Sequence, residues 1–98
     1  MRDKLESIIG RYLDLEKQMA DQDVLSSPDK LKELAKEYKQ LDPVVITGKE
    51  YIKTLDQIID CETIIESNDA DLTDLANEEI DSHKKRKIDL EKELTIKL

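Results

Sequence analysis

The stretch DPVVITGKEYIKTLDQIIDCETIIE, residues 42–66, carries the broadest apolar pattern in the chain. After Asp42-Pro43, apolar residues recur at Val44, Tyr51, Leu55, Ile58 and Ile65, with Val45, Ile52 and Ile59 beside them. Steps of three, four and seven residues place these side chains on one face of a helix. Every other segment has a narrower stripe, so the remaining helices are expected to pack against this one. The same stretch opens an unusual charge pattern, because no lysine or arginine lies between Lys53 and Lys84.

Working outward, Asp42-Pro43 reads as a boundary. Proline disfavours α geometry in the residue before it and has no N–H to donate to the carbonyl of Lys39. The simpler reading is a break, with Asp42 capping the next helix; a continuous but kinked helix is the alternative. Upstream, Ser27-Pro28-Asp29 makes a good helix start: a hydroxyl for capping, proline in the first turn, and a carboxylate at the positive dipole end. The helix it begins carries Leu31, Leu34, Ala35, Tyr38 and Leu41. Residues 21–26 read as a polar connection. Residues 2–20 form a first helix striped with Leu5, Ile8, Tyr12, Leu15 and Met19, with Gly10 off the stripe.

Downstream, Ser67-Asn68-Asp69 reads as a turn, with Asp69 able to cap a last helix that continues to the end of the chain. Its stripe is Leu72, Ala76, Ile80, His83, Lys87, Leu90 and Leu94. A short turn between two long helices predicts an antiparallel hairpin. The expected fold is all-α, a three- or four-helix bundle dominated by that long hairpin.

Composition agrees. Of 98 residues, 41% are charged and only 3% aromatic, with two glycines and two prolines. Such a chain, poor in turn and strand formers, reads as nearly all helix. A formal charge of −8 disfavours a nucleic-acid surface as its main business, since phosphate neutralisation needs clustered Lys and Arg. No apolar run approaches the ~20 residues of a membrane span, and no signal-peptide core opens the chain. One cysteine cannot form an internal disulfide, which points to a reducing cytoplasm.

Residues 21–45, DQDVLSSPDKLKELAKEYKQLDPVV, resemble the N-terminal domain of the bacterial class I peptide chain release factors of the type that reads UAA and UAG. Four pieces stand in the family's order: Asp21–Val24, Ser26–Pro28, Leu34–Tyr38 and Leu41–Val45. DADLTDLANEEI, residues 69–80, is similar to the acidic start of that domain's last helix. The sister group has a Trp soon after the Asp-Val pair, and this chain has none. The resemblance implies that residues 1–98 are the N-terminal helical domain of a translation termination factor. Neither the Gly-Gly-Gln loop of peptidyl-tRNA hydrolysis nor a Pro-x-Thr-type codon-reading tripeptide occurs in the sequence. The domain is thus expected to bind rather than catalyse. The implied partners are the factor-binding region of the ribosome's large subunit and the methyltransferase that modifies the catalytic glutamine, with no direct codon or DNA contact. Composition and periodicity alone also fit a free-standing coiled-coil adaptor or chaperone-like subunit.

No catalytic residues, cofactor or metal site are expected from the pattern. Cys61 shares a face with Ile58 and Ile65 and reads as a small apolar residue. His83 falls on the thinning seam of the hairpin, within a few turns of Cys61, and EF-hand or His/Cys ligand spacing is absent. Lys84-Lys85-Arg86-Lys87 follows Glu78, Glu79 and Asp81 and reads as a salt-bridged turn, with ribosomal RNA contact as the other reading. The acidic stretch is Asp56, Asp60, Glu62, Glu66, Asp69, Asp71, Asp74, Glu78, Glu79 and Asp81, and it surrounds the hairpin tip. Part of it is ordinary helix-start chemistry. The candidate binding residues are Glu66, Asp69, Asp71 and Asp74, an acidic tip suited to a basic protein surface.

Overall fold

The computed structural model describes residues 1–98 and contains only helices, as expected. They are α1 (Arg2–Met19), α2 (Gln22–Leu25), α3 (Pro28–Glu66) and α4 (Ala70–Lys97). The chain divides into two compact units, Met1–Lys49 and Glu50–Leu98, and α3 contributes to both.

Two boundaries differ from expectation. The segment 21–26 is not a plain connection: Asp21 caps a short helical turn, its carboxylate accepting from the Asp23 N–H at 2.8 Å. The break at Asp42-Pro43 does not occur, and α3 runs through Pro43 for 39 residues. Two features explain this. Pro43 and Lys39 are both exposed, so the carbonyl that proline leaves without a donor can be met by water. Asp42, expected as a cap, is engaged elsewhere.

In the first unit, α1 lies antiparallel to the opening half of α3. Leu5, Tyr12 and Leu15 are buried on α1, with Ile8 and Met19 half-buried at the margins of the stripe. Tyr12 and Tyr38 stack with ring centroids 4.2 Å apart. Each hydroxyl then reaches across to the opposite helix: Tyr12 donates to Asp42 and Tyr38 to Glu16, both at 2.6 Å. Arg11 pairs with Glu37 at 2.8 Å on the outer edge. Further along, Gly48 is buried where Leu5 presses in, and a Cβ there would lie 3.1 Å from the Leu5 Cδ2. The glycine permits that approach.

In the second unit, the closing half of α3 and α4 form the expected antiparallel hairpin. Ile58, Cys61, Ala76 and Ile80 make a small buried cluster, with Ile64 and Ile65 against it. Tyr51 is buried and its hydroxyl donates to Glu91 at a long 3.4 Å. Leu90 and Leu94 are buried, His83 and Lys87 half-buried, as the stripe predicts. Leu72 and Ile59 depart from it, at 48% and 53% exposure. Thr54, only 1% exposed, satisfies its hydroxyl on the Glu50 carbonyl at 2.8 Å.

The two glycines separate helix propensity from packing. Nothing lies within 4 Å of a Cβ at Gly10, so Gly10→Ala is expected to raise stability by about 1 kcal/mol. Gly48→Ala gains the same propensity but drives a methyl against buried Leu5, so it should return less or destabilise. Thermal or denaturant melts of the two variants compare them directly.

The tyrosine pair predicts an alkaline response. The hydrogen bond to Asp42, then the neighbouring Tyr38 hydroxyl, hold the Tyr12 phenol well above its ordinary value of 10.0. A raised folded-state value gives stability that is complete below about pH 10, where the unfolded phenol is also protonated. It is lost as pH climbs from there through the folded value, because the unfolded chain ionises first. Tyrosinate absorbance should show Tyr12 ionising late, and Asp42→Asn should bring it back toward the ordinary range.

Candidate functional site

The tip joining α3 to α4 is built from local hydrogen bonds. Ser67 Oγ donates to the Ile64 carbonyl at 2.6 Å, closing the end of α3. Asn68 adopts a left-handed conformation with φ of 59°, which asparagine tolerates better than most residues. Asp69 is the cap of α4, its Oδ1 accepting from the Asp71 N–H at 3.1 Å and the Leu72 N–H at 3.4 Å. Thr73 Oγ1 donates back to the Asp69 carbonyl at 2.6 Å.

This geometry sorts the four acidic candidates, all of which are exposed. Asp69 is occupied by capping. Asp71 sits in the first turn of α4, where the helix dipole favours a carboxylate. Glu66 has the opposite relation to its helix. It closes α3, whose last turn holds no basic residue, so its charge opposes the dipole. Asp74 lies beyond the first turn and gains little from it. Glu66 and Asp74 are therefore the tip carboxylates that helix chemistry leaves unexplained. Leu72 and Leu75, 48% and 53% exposed, add apolar surface between the acids.

One turn further down the hairpin, three polar side chains converge. The Cys61 Sγ, a Glu79 carboxylate oxygen and a His83 ring nitrogen all lie within 4.8 Å of one another. Glu79 and His83 are four apart on α4 and so share a face. The sequence reading kept Cys61 and His83 loosely apart and assigned Glu79 to ion pairing with the basic turn; its spacing from His83 was the readable signal. The grouping is unsuited to nucleophilic catalysis. Burial first, then the charges of Glu79 and Asp60, push the Cys61 thiol up, whereas a cysteine nucleophile needs its thiolate favoured. The salt-bridged turn is also corrected: Lys84, Lys85 and Arg86 are exposed, and no ion pair joins them or Lys87 to Glu78, Glu79 or Asp81. Exposed pairs of this kind contribute little and are readily given up to solvent.

With this geometry in hand, comparison with known proteins is decisive on family. The PCRF domain model matches residues 8–98, nearly the whole chain. The chain belongs to the PCRF domain family. Similar curated proteins are peptide chain release factor 1 of Campylobacter jejuni, 37% identical over 95 residues and 97% of this chain, and that of Caldicellulosiruptor bescii, 35% identical over 99 residues. Peptide chain release factor 1 of Lactococcus lactis is 38% identical over 100 residues. The Caldicellulosiruptor and Lactococcus alignments take in 100% of this chain. This PCRF chain spans only 26% of the Campylobacter protein and 28% of the other two. No solved structure matches it. No helix of the PCRF domain is long and apolar enough to cross a membrane.

The cap can be tested apart from any partner. Asp69→Ala is expected to cost about 1 kcal/mol, while Asp74→Asn should leave stability nearly unchanged. Equilibrium unfolding of both variants distinguishes a structural from a surface carboxylate.

Proposed function

We propose that this PCRF domain is the N-terminal docking domain of a cytoplasmic translation termination factor that reads UAA and UAG and promotes peptidyl-tRNA hydrolysis. The observation that carries the reading is the match of nearly the whole chain to the family and to about a quarter of each release factor 1 relative. On this reading residues 1–98 supply binding, and the hydrolytic chemistry belongs to a Gly-Gly-Gln loop, a motif this sequence does not contain. The domain itself is not an enzyme. Its partner is the factor-binding region of the large ribosomal subunit, and the methyltransferase that modifies the catalytic glutamine is a second. The same match favours this reading over a free-standing adaptor.

Exposed acids interleaved with exposed leucines suit a basic protein surface with apolar content better than bare RNA, which would repel them. Glu66 and Asp74 are the residues assigned to that contact. Asp71 flanks it, and Asp69 shapes it as the cap. The test is binding of the 98-residue chain to ribosomes with Glu66→Gln and Asp74→Asn combined. Affinity should fall several-fold at low salt, and the difference should shrink as salt is raised. Equal binding of wild type and variant at low salt sinks the assignment.

A further inference from the structure

We propose that Cys61, Glu79 and His83 form a binding site for one zinc-class transition-metal ion, bound by thiolate, carboxylate and imidazole with a fourth position open to water. Three observations on the second unit carry this. First, the donor atoms already lie within 4.8 Å of one another. Tetrahedral zinc with bonds of roughly 2.0–2.3 Å sets its ligand atoms about 3.3–3.8 Å apart. Closing that gap takes about 1 Å, within reach of rotamer changes in the exposed Glu79 and half-buried His83 side chains.

Second, the surroundings fit a metal site open on one side. Cys61 is 4% exposed within the apolar cluster of Ile58, Ala76 and Ile80, while His83 is half-buried and Glu79 exposed. The sulfur is fixed by packing, and the solvent side leaves an entry path. No side-chain hydrogen bond or salt bridge ties up any of the three donors.

Third, the charge is right. A thiolate and a carboxylate neutralise a divalent cation, and all three residues fall within 54–83, which contains no Lys or Arg, with Lys84-Lys85-Arg86-Lys87 following directly. The ten carboxylates of that stretch outnumber the four bases beyond His83, so the net local field favours cations. A sulfur and an imidazole among the donors select zinc-like ions over calcium or magnesium, which prefer all-oxygen sites. As the metal–sulfur bond forms, the thiol proton passes to solvent. The bound ion joins α3 to α4 just below the tip.

Cobalt is the spectroscopic stand-in for zinc. Titrating the 98-residue chain with Co²⁺ should produce a sulfur-to-cobalt charge-transfer band that saturates at one equivalent. Added Zn²⁺ should displace the cobalt and raise the melting temperature. Glu79→Gln and His83→Gln, at solvent-accessible positions, should retain full helicity by circular dichroism yet weaken binding by more than about tenfold. Cys61→Ser should abolish the band. Absence of the band with wild-type protein overturns the proposal, as does undiminished affinity in either α4 variant. Cobalt binding without the band that Ca²⁺ competes away is diffuse attraction to the acidic stretch, and it too overturns the site.

Discussion

Proline at position 43 removes a backbone donor from a helix of 39 residues, a defect that costs about 3 kcal/mol or more in a helix interior. The chain accepts it because the competing arrangement has lost its anchor. A break at this point needs Asp42 to turn back and cap the following amides. Its carboxylate instead accepts a 2.6 Å hydrogen bond from Tyr12, whose ring stacks on Tyr38. Immediately after the proline, Val44 and Val45 are buried, at 7% and 3% exposure. Burying such side chains is worth roughly 1.5–3 kcal/mol each, enough to outweigh one missing hydrogen bond on a wet face. The first unit's aromatic clasp and the continuity of α3 are thus one constraint, stated twice by the same carboxylate.

Electrostatics in the second unit work differently. Carboxylates gather around a tip whose own helices ask for only some of them. At the start of α4, Asp69 and Asp71 satisfy amides and complement the dipole. At the end of α3, Glu62 and Glu66 do neither, and no base offsets them in the last turn. The four basic residues of 84–87 lie beyond this region and form no ion pairs with it. That uncompensated charge is the reason for proposing a basic partner surface at the tip and a cation below it.

Much of this was legible from residues alone, and the misses have physical causes. The three-four spacing of Leu5, Tyr12 and Leu15, and of Ala76, Ile80, Leu90 and Leu94, identified buried faces because helical geometry leaves a stripe little choice. The proline was misread because local propensity cannot register a hydrogen bond from a tyrosine thirty residues earlier. Thr54 was missed because a hydroxyl that bonds its own helix can be buried as if apolar. Ile59 points one position off the buried seam of Ile58 and Cys61, and its exposure follows from that, whereas Leu72 was placed in the core by phase alone. Near a hairpin tip the partner helix runs out, and a correctly phased side chain has nothing to pack against. Glu79 was overlooked for the opposite reason: its nearest neighbours in sequence suggested a charge partner, whereas the hairpin supplied Cys61 from the other helix.

That last residue bears on how the tip is held. Below it, the buried cluster of the hairpin is small, and two of its four members, Cys61 and Ala76, are among the smaller side chains available. Small residues let helices approach closely but bury little area, so apolar packing there contributes less than the leucines at 90 and 94 do further down. Exposed carboxylates on both helices add mutual repulsion. The local stability of such a region sits at the low end for a folded protein, which is where binding elements are commonly found. A cross-helix ion at Cys61, Glu79 and His83 would act at the point where packing is weakest and repulsion greatest. It would neutralise the Glu79 carboxylate while fixing the register of the turn above. The same carboxylate excess that would make the tip a docking surface would also recruit the cation that steadies it.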